Sequence, residues 1–292
     1  MAKRYYRVAE HLFSVEASED KFSLMLNYEP FSVNGSDATC CAGLAFSLSI
    51  EEDSYPKYVE ETRQSEEGQD IICGHTAENQ PTFEFILKGV STSVLLCAPD
   101  YKSAKLYLPG EKFKGTYKFA IDNALMVLFA LSTANLGTTL FHAAVVTRQE
   151  RAYLFLGKSG TGKSTHARLW LRYIAGTELL NDDNPVVRFF EDGAVKVYGS
   201  PWSGKTPCYK NKDALIGGFV LLEQAPHNKI NRLRGVLAYA ALLPSISGKR
   251  WDKSIADGLH YSENALASHV PVWHLECLPD EAAAKLCCET IA

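Results

Sequence analysis

Residues Gly157-Lys158-Ser159-Gly160-Thr161-Gly162-Lys163-Ser164 have the G-x-x-x-x-G-K-[ST] spacing of a phosphate-binding loop, the Walker A pattern. Glycines there let successive backbone N–H groups curl around a polyphosphate. Lys163 would reach the outer phosphates, and Ser164, followed by Thr165, would offer an oxygen to Mg²⁺. The expected ligands are ATP and Mg²⁺. Asp182 and Asp183 follow 19 positions after Lys163, at the end of the run Leu179-Leu180-Asn181. In magnesium-dependent phosphoryl transfer one carboxylate can hold the metal while another accepts the attacking hydroxyl's proton. The spacing leaves open which aspartate does which. It also leaves open an Asn-Asp-Asp-Asn turn stopped by Pro185.

His142 lies 15 residues before Gly157 and could orient an aspartate, or be a satisfied buried histidine. The loop Gly199-Ser200-Pro201-Trp202-Ser203-Gly204-Lys205-Thr206 offers Lys205 to a phosphate or acidic substrate. Its Trp202 would stack on a ring or fill a gap. Lys158, Arg232 and Arg234 are further candidate cations for such a phosphate or substrate or else ordinary surface charge, and His166 reads as a surface residue of the helix after the glycine-rich loop.

The elements that must position these residues follow from periodicity. Tyr153-Leu154-Phe155-Leu156 suits a buried strand. After the loop, Ala167, Trp170, Leu171 and Ile174 recur at i, i+3, i+4 and i+7, the stripe of a helix with one packed face. That order aims a helix N-terminus at the phosphates. Leu140 to Val146 reads as one strand before it, and Val186–190, 194–198 and 218–222 as strands after it. Phe119 to Ala134 reads as a helix with Ile121, Leu125, Leu128 and Phe129 on one face, ended by Gly137. Further on, 237–243 and 280–288 read as helices and 270–277 as a strand.

The first ~115 residues differ from the rest. Short β-prone runs such as Phe83–Leu87 and Ser93–Cys97 alternate with polar turns, which predicts an antiparallel sheet. Between Glu51 and Asp70 stand eight acidic residues, the pattern of a solvated loop or exposed edge. The expected organisation is a β-rich N-terminal domain, 1–117, of structural, regulatory or partner-binding role. Behind it stands a P-loop α/β domain, 118–292, with its sheet covered by helices.

With 292 residues, 46% hydrophobic and 22% charged, the composition is that of a soluble globular protein. A net charge of −4 does not favour nucleic acid as a partner. The longest apolar run, Ala124 to Leu131, is too short to span a bilayer. No apolar segment follows the N-terminal Met-Ala-Lys-Arg, so neither a membrane partner nor secretion is expected and the cytoplasm is the default. Adjacent pairs Cys40-Cys41 and Cys287-Cys288 and isolated Cys73, Cys97, Cys208 and Cys277 contain no C-x-x-C, which argues for reduced structural thiols.

Together, Phe141-His142-Ala143, the loop Gly157–Ser164 and Leu180-Asn181-Asp182-Asp183 resemble, in order and spacing, the C-terminal catalytic domain of the HPr kinase/phosphorylase family. Its core is related to that of ATP-dependent phosphoenolpyruvate carboxykinases. The resemblance is close from Thr139 to Leu222 and loose beyond. It implies a kinase that moves the γ-phosphoryl of ATP to a serine hydroxyl of a protein or peptide, in a chain that could form a homo-oligomer. Residues 157–164 would bind ATP and Mg²⁺, Asp182 and Asp183 would divide metal binding and general-base duty, and His142 would support them. Ala143 replaces the family's glycine, and Lys196–Trp202 replaces its glutamate- and arginine-containing segment. The implied acceptor is therefore a peptide or protein serine rather than HPr itself. Two other readings compete: a nucleotide-gated binding protein without turnover, and a carboxykinase-like enzyme acting on a small carboxylate.

Overall fold

The computed structural model describes residues 1–35, 43–66, 68–204 and 206–292. Lys205, Cys40 and Cys41 lie outside the described residues. The chain divides into two compact units, Met1–Ser132 and Thr133–Ala292.

The first unit is built on a nine-stranded sheet. Its strands are β1 (Ala2–Val8), β2 (His11–Ala17), β3 (Ser32–Val33), β4 (Phe46–Glu51), β5 (Val59–Glu66), β6 (Gln69–His75), β7 (Pro81–Leu87), β8 (Val90–Cys97) and β9 (Ser103–Tyr107). Their order is β3-β1-β2-β4-β9-β8-β7-β6-β5. It is mixed rather than antiparallel throughout, because β2–β4 and β4–β9 pair in parallel. Strand β4 alternates buried Phe46, Leu48 and Ile50 with half-exposed Ser47, Ser49 and Glu51, so one face is core and the other polar. Phe13 and Phe46, direct partners on β2 and β4, stack side by side on the core face at 4.6 Å. The acid-rich stretch supplies β5, an exposed strand at the sheet's edge.

Helix α1 (Glu19–Phe22) is a single turn; α2 (Tyr117–Thr133) buries Ile121, Leu125, Leu128 and Phe129, the stripe read from the sequence. A short 3₁₀ turn follows, and Gly137 ends it at φ 64°, where a side chain would be strained. Ala124–Leu131 is too short to cross a bilayer, but the helical stretch around it, Phe113–Leu136, is long and apolar enough by length and composition alone. More than half of its most apolar window, 56%, is already buried within the protein.

The second unit corrects the expected fold class. A P-loop α/β domain needs a helix-covered sheet with its strands joined by crossover helices. The whole chain is instead β-rich, a mixed fold of two sheets with 18 strands and 30% helix among the described residues. The second sheet comprises β10 (Thr138–Leu140), β11 (Ala144–Arg148), β12 (Arg151–Leu156), β13 (Thr177–Asn181), β14 (Val186–Phe189), β15 (Val195–Tyr198) and β16 (Asp213–Gln224), with β18 (Val272–Cys277) added beside β16 and β17 (Lys229–Leu233) beside β18. Only β12–β16 and β16–β18 are parallel; the other pairs run antiparallel. Antiparallel neighbours need only short connections, so few crossover helices are called for.

The remaining helices are α3 (Lys163–Tyr173), α4 (Val236–Leu242), α5 (Lys253–His269) and α6 (Glu281–Ile291). Helices α3 and α6 pack together over a core of Tyr153, Phe155, Trp170, Val220, Leu275 and Cys287. The inward stripe of α3 is rotated from the one expected: Leu171 is exposed, whereas His166 is 3% exposed. Trp170 Nε1 donates to His166 Nε2 at 3.1 Å, one turn away, and the imidazole meets the Phe155 ring edge-on at 4.7 Å. His166 is thus a packed, neutral acceptor rather than a surface residue.

Burial holds the His166 pKa down to about 4 from its ordinary 6.5. The unfolded chain binds the proton more readily, so this contribution to stability is complete above pH 6.5 and lost as pH falls toward 4. It amounts to roughly 3 kcal/mol. Urea denaturation across that window should show the loss in the wild type and a flatter profile in His166→Gln, which keeps an acceptor but does not titrate there.

Candidate functional site

One continuous ladder builds the site. Strands β10 and β11 are successive parts of one stretch, and β14 and β13 are the corresponding parts of its antiparallel partner. Between them the ladder persists: Phe141 N donates to Pro185 O at 3.0 Å and Ala143 N to Asp183 O at 2.8 Å. The run 140–146 expected as one strand is therefore interrupted at Phe141–Ala143 but never leaves its partner. On its other side His142 N donates to Ser245 O at 2.7 Å. The Asn-Asp-Asp-Asn stretch is likewise part of this ladder rather than a free turn.

Strand β11 has β12 on one side and β13 on the other, both antiparallel to it, so β12 and β13 run the same way. Val145 faces both Leu154 and Asn181. Asp182 and Asp183 therefore emerge level with Phe155 and Leu156, just where the glycine-rich loop begins. Two strand spacings, roughly 10 Å, separate the two exits. His142, on the chain entering β11, reaches the same edge of the sheet.

In the loop Gly157, Gly160 and Gly162 have φ of 145°, 78° and 109°, a run of positive values that only glycine adopts without strain. Gly162 is the residue before α3. Lys158, Ser159, Gly160 and Thr165 are exposed, and Gly157, Thr161, Gly162 and Ser164 half-buried. Lys163 is 9% exposed, and its Nζ donates to Gly157 O at 2.9 Å and Lys158 O at 3.3 Å, which folds the ammonium over the loop.

The aspartate corner is held by a polar network. Buried Asn181 donates to Ser200 Oγ at 3.0 Å and accepts from Asp183 N at 2.9 Å. Ser200 Oγ donates to Asn184 O at 2.6 Å, and Asn184 N to Trp202 O at 3.1 Å. Trp202 is 5% exposed, so its ring fills space. Thr206 donates its hydroxyl to Asp182 Oδ2, while Asp182 Oδ1 is buried with no hydrogen-bond partner among the described residues. Asp183 accepts from Asn184 Nδ2 at 2.8 Å, and its other oxygen lies 3.6 Å from His142 Nδ1. Both side chains are about one-third exposed, His142 36% and Asp183 31%. Gly204, at φ 56°, lies so close that a Cβ would stand 2.8 Å from the Asp183 Cβ.

Two expectations acquire context. Asp182 and Asp183 share one corner but have different surroundings, one capped by a hydroxyl, the other beside an imidazole. Arg232 lies over the Trp273 ring at 4.9 Å, and Arg234 is exposed. Among the described residues no group of three or more His, Cys, Asp or Glu side chains could hold a metal by itself. The six described cysteines, Cys73, Cys97, Cys208, Cys277, Cys287 and Cys288, are free thiols.

The sequence reading missed Gln224. Strand β16 runs parallel to β12 and outlasts it, so its last residue stands beside the loop, where Gln224 Nε2 donates to Gly160 O at 3.2 Å and Thr161 O at 3.3 Å. Its only signal would have been that parallel pairing, since the apolar run seemed to end at Leu222. Ser203 and Thr206, which bond Asp182, gave no signal either.

No protein-family model matches the chain, and a comparison with curated proteins gives no significant match. The resemblance therefore stands on the order and spacing of these residues.

Gln224→Leu should loosen the loop without unfolding the sheet. Each lost hydrogen bond is worth about 0.5–1.5 kcal/mol. With both bonds lost, hydrogen exchange followed by mass spectrometry should show loop amides exchanging roughly 5–150 times faster, with exchange in β12 unchanged.

Proposed function

We propose that the protein is an ATP- and Mg²⁺-dependent phosphotransferase that moves the γ-phosphoryl group to a serine hydroxyl of a peptide or protein. The observation that carries this reading is the meeting, at one sheet edge, of the glycine-rich loop with Lys163 and a two-aspartate corner backed by His142. The resemblance to the HPr kinase/phosphorylase family points the same way.

The chemistry asks mostly for positioning and charge neutralisation. Residues 157–163 would cradle the phosphates with their N–H groups and the α3 N-terminus, and Lys163 would exchange its loop carbonyls for phosphate oxygens. The acceptor oxygen attacks the γ-phosphorus, the bond to the β–γ bridging oxygen breaks, and ADP leaves. The hydroxyl proton passes to Asp183, whose partly exposed carboxylate lies beside His142. We assign base duty to Asp183 for that reason.

Asp182 fits metal holding better, because its Oδ1 is buried and has no partner among the described residues. Asp182 and Ser164 would hold Mg²⁺. This ion commonly takes one or two protein carboxylates and completes its shell with phosphate oxygens and water. When bound, the ion neutralises charge on the β- and γ-phosphates.

Calorimetry with ATP and Mg²⁺, followed by a transfer assay on a serine-peptide library, tests the reading. Lys163→Ala should weaken ATP binding by about 10- to 150-fold, the worth of a charge-assisted contact. Asp183→Asn should leave ATP binding within about threefold and lower turnover by roughly 10²- to 10⁴-fold. Wild-type binding without transfer to any peptide would instead favour a nucleotide-gated binding protein. No ATP binding by the wild type would remove the reading altogether.

A further inference from the structure

The first unit contains an open-sided cavity of about 350 Å³ on the polar face of its sheet. Ser14, Ser47 and Ser103 lie in one cross-strand row on β2, β4 and β9, and line it. Lys3 and Glu16, directly opposite each other on β1 and β2, stand at one end, and Leu96 contributes apolar surface.

Among the lining groups one buried hydroxyl is orphaned, and two exposed charges make no ion pair with each other. Ser14 is 1% exposed, and its Oγ has no hydrogen-bond partner among the described residues. By strand alternation it points away from the Phe13 and Val15 core, toward the cavity. Glu16 is exposed and makes no ion pair among the described residues. Lys3 lies over the Tyr5 ring at 5.8 Å rather than on Glu16. Lys105, also lining the cavity, is already paired with Glu51 at 3.1 Å.

A buried hydroxyl without a partner costs stability, and a fold keeps one most readily where something else uses it. Thr82 and Ser93 are also orphaned in this sheet, but neither lines the cavity. What sets Ser14 apart is that it lines the cavity, with an exposed charge of each sign at one end.

We propose that this cavity binds a small zwitterion of the α-amino-acid class, its ammonium facing Glu16, its carboxylate facing Lys3, and a polar atom bonded to Ser14. The Cβ atoms of Lys3 and Glu16, on neighbouring strands, stand roughly 5 Å apart, so one small ligand carrying both charges would face both side chains. An uncharged polyol would satisfy the serines and leave both charges unused. The site is independent of the phosphotransferase reading.

The test is equilibrium dialysis of the full chain against a millimolar mixture of the standard amino acids, with retained species identified by mass spectrometry and titrated by calorimetry. One or a few should be retained at one per chain. Glu16→Gln and Lys3→Met, both at exposed positions, should each weaken binding at least about tenfold. Ser14→Val should abolish binding while melting roughly 2–4 °C higher, because the orphaned hydroxyl is gone. Ser93→Ala should stabilise in the same direction and leave binding intact. Retention of no amino acid by the folded wild type overturns the proposal, as does binding unchanged in Glu16→Gln and Lys3→Met. Should Ser14→Val fail to fold, those two variants still decide.

Discussion

The second unit depends on a single ladder that refuses to break where its side chains become polar. Strand β11 could have ended at Ala144 and released the chain into a loop. Instead Ala143 N bonds Asp183 O and Phe141 N bonds Pro185 O, so the pairing passes through the His142 and Asp183 positions and continues as β10–β14. Backbone hydrogen bonds are short and directional, so they fix His142 and Asp183 against each other more firmly than their 3.6 Å side-chain contact does. The same pairing sets the register that brings Asp182 level with the end of β12.

A corner of this kind exposes backbone and side-chain polar groups to a partly dry environment, and each must be answered. Asn181 does much of this, since one amide serves Ser200, Trp202 and Asp183 together. Trp202 then acts through its carbonyl as well as its bulk. Gly204 lets the segment come close enough for Ser203 and Thr206 to bond Asp182. The unanswered atom, Asp182 Oδ1, is conspicuous because its surroundings are otherwise so fully bonded.

The strand–loop–helix around Gly157 was legible because its signals are local: an apolar tetrapeptide, glycines at fixed spacing and a helical stripe. The directions of the neighbouring strands were not, since they depend on residues far along the chain such as Leu221 and Asn181. That is why a local motif suggested a helix-covered α/β domain and the sheet proved mixed and β-rich. The phase of α3 was misread by one residue because an imidazole can be packed when an indole N–H reaches it, and hydrophobicity alone ranks Leu171 above His166. Helix α5 went unread; its N-terminus is marked by Asp252, which accepts from Ser254 N. Among the site residues, the loop and the aspartate pair stood out by type and spacing. Gln224, Ser203 and Thr206 did not, because their roles arise from where the strands end.

The parallel pairing of β12 with β16 has a kinetic side. Arg151 meets Leu215 and Leu156 meets Leu221 across a long intervening chain, whereas β11 and β12 form an immediate hairpin. Contacts of large sequence separation carry a loop-closure cost before they repay it, so they form late and slow the search. The glycine-rich loop is therefore made early, with its hairpin, and spends part of the folding time without the strand that carries Gln224. Chains ending before residue 213 would own the loop but lack the strand that carries Gln224.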